Sequence, residues 1–260
     1  MKKLLLAGPW VGEFGWELLC WQGLVRKMSR KYDGTIVACR YSSRALYEDF
    51  ADEFIDVETN SMETDGPKCH GEDIGILSKL GNVACNKWMF PEKLKWRMES
   101  GGVPVVDNQE FIVYGKEFEK NNKYVVIHAR STDKVGQGER NWSDNNWAQL
   151  VMSRPEYEFI SIGTRDASYH IQGTIDCRGS YLKEVFEILR HTRYIIGPSS
   201  GPMHLASLCG TNQLVWSGHE RNYDRYTKLW NPHNTDVVYL DTWQPTVAQV
   251  LEAMRTADKL

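Results

Sequence analysis

No stretch of this chain stays apolar for the roughly 20 residues that a transmembrane helix needs, so a membrane-spanning reading is set aside. The apolar start Lys2-Lys3-Leu4-Leu5-Leu6-Ala7 is cut by Gly8-Pro9, too short for a signal-peptide core, and reads as a first strand. Charge of one sign is also missing. A net charge of −3 and an isoelectric point near 6.2 give no global pull toward nucleic acid or anionic membrane. No Cys-x-x-Cys pair occurs. Cys20, Cys39, Cys69, Cys85, Cys177 and Cys209 lie far apart, which favours reduced thiols in a cytoplasmic protein. Cys69 with His70 lacks a second ligand pair at zinc spacing. There is no Asp-x-Asp to hold a divalent metal on a diphosphate, no Walker-type phosphate loop and no Gly-x-Gly-x-x-Gly. These absences argue against kinases, ATPases and NAD-dependent dehydrogenases, and neither metal nor cofactor is expected.

What is present is a large core. The 260 residues are 42% hydrophobic and include 10 Trp and 12 Tyr, enough for one big α/β domain or two compact ones. Leu4 to Ala7 reads as a buried strand, Trp16 to Lys31 as an amphipathic helix, Thr35 to Cys39 as a strand and Ser42 to Phe54 as a helix. Residues 58–75 read as a polar surface excursion. Beyond a junction placed at 101–122, strands are expected at Tyr124–His128, Glu158–Gly163, Tyr194–Gly197, Gln213–Trp216 and Val237–Leu240. Helices are expected at Ser143–Met152, with Ser143 as cap, then Tyr181–Arg190, Met203–Leu208 and Val247–Ala257. Strands alternating with helices imply parallel sheets. The expected architecture is α/β, two facing Rossmann-like domains. They span residues 1–115 and 120–246, with a terminal helix at 247–260 that can pack back across the first domain.

In such sheets ligands bind beyond the carboxyl ends of the strands. Ile195-Ile196-Gly197-Pro198 runs into Ser199-Ser200-Gly201 and opens a helix at about Pro202, followed by Met203 and His204. Free N–H groups backed by the helix dipole make a site for a phosphate or diphosphate. Gly201 allows close approach, and Pro202 suits the first helical position. An ordinary strand–turn–helix with His204 on the packed face explains the same residues, and both readings stand at this point. After the strand ending at His128, Arg130, Ser131 and Lys134 can face an anion, and Arg140-Asn141-Trp142 can line the same place. After the first strand, Gly12-Glu13-Phe14-Gly15-Trp16-Glu17 offers two carboxylates near a helix start. Glu13, in the turn itself, is the better candidate for a general base, while Glu17 alone reads as a complement to the helix dipole.

The run Arg178-Gly179-Ser180-Tyr181-Leu182, its helix, and Tyr194 through Thr211 resemble the C-terminal half of the heptosyltransferase family. So do Arg140-Asn141-Trp142 and the N-terminal glycine turn, although that family usually shows Gly-Asp where this chain has Gly12-Glu13. Val126-Ile127-His128-Ala129-Arg130-Ser131-Thr132-Asp133-Lys134-Val135-Gly136 is similar to the His-x-Arg segment of the fucosyltransferase superfamily, whose arginine contacts the donor β-phosphate. Gly12-Glu13-Phe14-Gly15 resembles the glycine turn of protein O-fucosyltransferases. These resemblances imply the GT-B fold, a nucleotide-diphosphate-sugar donor and inverting transfer of a sugar to an acceptor hydroxyl. They imply a donor site of Gly12, Arg130, Ser131, Lys134, Ser199, Ser200, Gly201, Pro202, Met203 and His204. Glu13 is the expected base, with Glu17 in reserve. A glycan, a lipid-linked glycan or another hydroxyl compound is the expected acceptor; a hydroxylated nucleic-acid base is disfavoured by charge. A sugar-nucleotide-binding protein without catalysis is the rival from another class.

Overall fold

The computed structural model of the chain describes residues 2–10, 12–57, 80–89, 108–132 and 138–260. The chain divides into two compact units, Met1–Phe111 and Ile112–Leu260. In the first, β1 (Leu4–Ala7), β2 (Gly34–Cys39), β3 (Glu53–Asp56) and β4 (Lys87–Met89) form a parallel sheet in the order β3-β2-β1-β4. Every residue of β2 is buried, as are Leu5, Leu6 and Ala7 of β1. Continuous apolar runs are what a parallel sheet covered on both faces requires.

After β1 the chain forms α1 (Phe14–Trp16), one π-helical turn at Glu17–Trp21, and α2 (Gln22–Ser29). The helix expected over Ser42–Phe54 is corrected: a 3₁₀ turn at Tyr41–Leu46 is followed by β3. Asp52 explains the switch. Its carboxylate accepts the Thr35 N–H at 2.7 Å and its own N–H donates to the Thr35 carbonyl at 2.9 Å, which starts β3 in register beside β2. Pairing with a buried neighbour outweighs local helix preference. The polar excursion at 58–75 and residues 101–107 of the expected junction lie outside the described residues.

The second unit holds β5 (Asn121–Ile127), β6 (Glu158–Ser161), β7 (Ile175–Asp176), β8 (Thr192–Pro198), β9 (Asn212–Trp216) and β10 (Val237–Leu240). All pair in parallel in the order β10-β9-β8-β5-β6-β7. Numbered from β5, that is the 3-2-1-4-5-6 order of a dinucleotide-binding Rossmann sheet. Its helices are α3 (Asp144–Met152), α4 (Leu182–His191), α5 (Gly201–Leu208), α6 (Arg221–Asp224) and α7 (Val247–Ala257). Ser143 caps α3 by accepting the Asn146 N–H at 3.1 Å.

Trp142, Trp147 and Trp216 form a buried aromatic cluster with centroids 4.9–5.5 Å apart. The terminal helix joins this core. Val250, Ala253, Met254 and Ala257 of α7 pack with Leu214 and Trp216 in the core of the second unit. Just beyond it, the Asp258 carboxylate accepts bonds from Tyr157, Tyr194 and Arg154 at 2.5, 2.9 and 2.8 Å. The apolar stripe of α7 has a ready partner in its own unit. No helix among the described residues is long and apolar enough to cross a membrane.

Candidate functional site

In the six-stranded sheet the strand order reverses between the central neighbours β5 and β8. Beyond their carboxyl ends, at this switch point, an open α/β sheet leaves room for a ligand. Ile127 pairs with Ile196, and the His128 N–H donates to the Ile196 carbonyl at 3.0 Å. The segments leaving β5 and β8 are therefore side by side: His128 to Ser131 on one, Ser199 to Gly201 on the other.

The turn into α5 is held from behind. Ser199 Oγ accepts from Asn222 Nδ2 at 3.1 Å and lies 3.2 Å from the Tyr226 hydroxyl, which in turn accepts the Ser200 N–H at 3.1 Å. The Ser199 N–H donates to the Trp216 carbonyl at 2.8 Å and the His204 N–H to the Ser200 carbonyl at 3.2 Å. The expectation that all amides from Ser199 to His204 face an anion is thereby narrowed. Pro202 has no N–H, so among the described residues Gly201 and Met203 carry the first-turn amides without a partner, that of Met203 enclosed, and no side-chain bond caps the helix.

The side chains of Met203 and His204 point elsewhere. Met203 is fully buried, and His204 stacks on Tyr226 at 4.4 Å and packs edge-on to Trp230 at 4.7 Å. Burial, aided by Arg225 and Arg140, pushes the His204 imidazole well below its usual range, so it is neutral. For that side chain the packed-face reading holds.

Arg130 is 7% exposed and donates from Nη1 to the Asn141 carbonyl oxygen Oδ1. Asn141 also donates to the Thr132 carbonyl at 2.8 Å and accepts the Thr132 N–H at 3.3 Å, so one amide clamps the loop after β5. Ser131 is half-buried, with its N–H on the Ala167 carbonyl at 2.9 Å. Arg140 donates from Nη2 to the Ser199 carbonyl and lies 5.4 Å from the Trp243 ring centre, tying the loop to the turn before α5. Two guanidinium groups thus stand at the switch point. Lys134 lies outside the described residues.

His128 is buried between two glycines: a Cβ on Gly163 would meet its Nε2 at 3.1 Å, and one on Gly197 its Cβ at 3.4 Å. Burial, reinforced by Arg130 and Arg140, pushes its pKa down to about 3.

In the first unit, Gly12 is buried and Glu13 half-buried at the start of α1. The Glu13 carbonyl accepts from the Glu17 N–H at 3.1 Å and from Trp10 Nε1 at 3.3 Å. Glu17 is fully buried, and both its oxygens are bonded: Oε2 to Arg40 at 3.0 Å and Ser43 at 2.9 Å, Oε1 to Tyr47 at 2.8 Å. This corrects Glu17 as a reserve base and as a mere dipole complement. It is an internal anchor. Arg40 passes the connection on by donating to the Gly12 carbonyl at 3.3 Å.

Arg40, Asn222 and Tyr226 are the supporting residues that reading the sequence did not single out for a role. Arg40 meets Gly12 and Glu17, and Asn222 and Tyr226 meet Ser199, across 23 to 28 positions, so no local spacing marks them. One signal recurs. Glu17 and Tyr226 both sit in π-helical turns, Glu17–Trp21 and Arg225–Leu229, and such turns concentrate near functional sites. No cluster of His, Cys, Asp and Glu among the described residues has the make-up of a metal site. Among the described residues Cys39, Cys85, Cys177 and Cys209 are free thiols, while Cys69 and His70 lie outside the described residues.

No protein-family model matches the chain, and no curated protein matches it either. Solved structures do. An ADP-heptose LPS heptosyltransferase II from E. coli superposes with a TM-score of 0.66 at 12% identity, covering 99% of this chain and 98% of that one. A family 9 glycosyl transferase from Veillonella parvula gives 0.62 at 10% identity, covering 99% and 97%. A Listeria monocytogenes protein described as a UDP-N-acetylglucosamine 2-epimerase gives 0.53 at 10% identity, covering 99% and 88%. These likenesses establish the fold: α/β of the GT-B type, built from Rossmann-like units.

Proposed function

We propose that the chain is a glycosyltransferase that moves a sugar from a nucleotide-diphosphate donor to an acceptor hydroxyl, with inversion and without a metal. The observation that carries this reading is the switch point between β5 and β8. There Arg140 bonds the Ser199 carbonyl just before α5, Arg130 stands on the adjacent segment leaving β5, and the Gly201 N–H opens the helix. Positive charge, backbone donors and a helix N-terminus in one place suit a diphosphate. The fold shared with two glycosyltransferases supports the same reading.

In the proposed reaction Glu13 accepts the proton of the acceptor hydroxyl as its oxygen attacks the anomeric carbon. The bond from that carbon to the β-phosphate oxygen breaks, and the electron pair leaves with the nucleoside diphosphate. Arg130, Lys134 and the Gly201 amide would stabilise the charge growing on that diphosphate. Gly12, Ser131, Ser199, Ser200 and Pro202 would shape the donor site. The first domain would receive a glycan, a lipid-linked glycan or another hydroxyl compound. With Cys39, Cys85, Cys177 and Cys209 free, we place the enzyme in the cytoplasm.

The test is a panel of ADP-, GDP- and UDP-sugars read by thermal shift and by release of nucleoside diphosphate, with and without EDTA. One donor that binds and releases its diphosphate, undiminished by EDTA, is the expected result. Binding without release supports a sugar-nucleotide-binding protein. An epimerised sugar nucleotide supports the chemistry described for the Listeria protein. Binding of none contradicts the site.

A further inference from the structure

The segment between β10 and α7 closes on the turn that carries Arg140. Gln244 Nε2 donates to the Glu139 carbonyl at 2.5 Å and to the Asn141 carbonyl at 3.1 Å, so one amide holds the residues on either side of the arginine. The Arg140 guanidinium carbon lies over the Trp243 ring, 5.4 Å from its centre. The fully buried Trp142 donates from Nε1 to the Pro245 carbonyl at 2.7 Å. Trp243, Gln244 and Pro245 thus each meet the 139–142 segment. Gly218, just past β9, leaves room for the indole: a Cβ there would come within 2.5 Å of Trp243 Cδ1. Arg140 itself is half-buried and ends a short 3₁₀ turn, Gly138–Arg140. A long arginine side chain on such a turn ordinarily has much rotamer freedom to lose when it meets a ligand. Here Nη2 is already on the Ser199 carbonyl and the indole lies against the group. The charge is felt at the exits of both central strands. After burial and one other arginine (Arg130 for His128, Arg225 for His204), Arg140 is the next group that lowers each imidazole's pKa.

We propose that Trp243 and Gln244 are positioning residues that hold Arg140 in the orientation in which it meets a diphosphate, Gln244 by fixing its backbone and Trp243 by fixing its guanidinium. The inference rests on the diphosphate reading of the switch point and adds the two residues that hold its cation ready. An arginine fixed beforehand loses less freedom when the anion arrives, so more of its charge-assisted bond appears as affinity. Neither Trp243 nor Gln244 is assigned a contact with the ligand. Both act through Arg140.

The experiment measures binding of inorganic pyrophosphate to the full chain by titration calorimetry, with urea unfolding of each variant alongside. Trp243→Ala and Gln244→Ala should each weaken binding about three- to tenfold, while Trp243→Phe, which keeps a ring, stays within about twofold of wild type. Arg140→Met should weaken it at least as much as either. The deciding comparison is the double variant. On the Arg140→Met background, Trp243→Ala should change affinity by less than about twofold, because the ring then has no cation to hold. A merely structural tryptophan lowers affinity by the same factor on both backgrounds, and that result overturns the inference. Equal binding by wild type and a folded Trp243→Ala overturns it too and leaves the site reading intact. Should Trp243→Ala not fold, Gln244→Ala is compared on the same two backgrounds. A loss confined to the one that keeps Arg140 supports the inference, and no loss or an equal loss overturns it. Wild-type affinity in Arg140→Met removes that arginine from the site and overturns the inference with it. No binding by wild type overturns the site reading and the inference together.

Discussion

Arg40 donates from Nη2 to the buried carboxylate of Glu17 at 3.0 Å, with the arginine side chain 9% exposed and the carboxylate fully enclosed. The same Nη2 holds the Gly12 carbonyl, so an ion pair inside the first unit fixes the turn that carries Glu13. Removing one partner of such a pair strands the other charge away from water.

Glu17→Gln and Arg40→Met should each destabilise the protein by about 3–5 kcal/mol. Urea unfolding checks this, with Glu13→Gln as the comparison. A Glu17→Gln protein of wild-type stability would remove Glu17 from the role of anchor.

Arg130→Ala should weaken nucleoside diphosphate binding by about 1.5–3 kcal/mol, the worth of a charge-assisted bond. Asn141→Ala, which frees the loop but leaves the charge, should cost less. Titration calorimetry measures both. Unchanged affinity in Arg130→Ala contradicts its place in the donor site.

Acid should unfold the protein partly through His128. Its folded pKa is about 3 against an ordinary 6.5, so the unfolded chain binds the extra proton between those values. This contribution to stability is complete above pH 6.5 and declines as pH falls toward 3. His128→Asn should flatten the stability curve in that window. An unaltered acid slope would show that the imidazole is not buried neutral.

Asp258 acts in the same direction at lower pH. Burial opposes its charge, but bonds from Tyr157, Arg154 and Tyr194 outweigh that and hold it below the ordinary 3.8. Its contribution is present above 3.8 and is lost as pH falls through the lower folded value. Asp258→Asn should cost about 1–3 kcal/mol at neutral pH and weaken the docking of α7. Denaturation at pH 7 and hydrogen exchange in α7 test it; an unchanged midpoint contradicts the anchor.

Much of the architecture was legible because buried parallel strands write themselves as apolar runs. Leu4–Ala7, Val237–Leu240 and Val247–Ala257 have the same ends in sequence and structure. β3 was not legible, since its strand state comes from Asp52 bonding Thr35 in a neighbouring strand. β4 and β7 are three and two residues long and carry no periodicity. The turn at Ser199–Gly201 was visible from its small residues. Which of its amides stay open depends on Trp216 and Tyr226, residues from other elements. The burial of Glu17 likewise depends on Arg40, Ser43 and Tyr47, which the chain brings to it only on folding.

The central claim is that Glu13 is the base of a sugar transfer whose donor is held by the second unit. Donor affinity and turnover measured side by side in wild type and Glu13→Gln test it most directly. The account predicts turnover lowered roughly a hundred- to ten-thousand-fold, with donor affinity and unfolding midpoint near wild type. Turnover that survives in Glu13→Gln contradicts it.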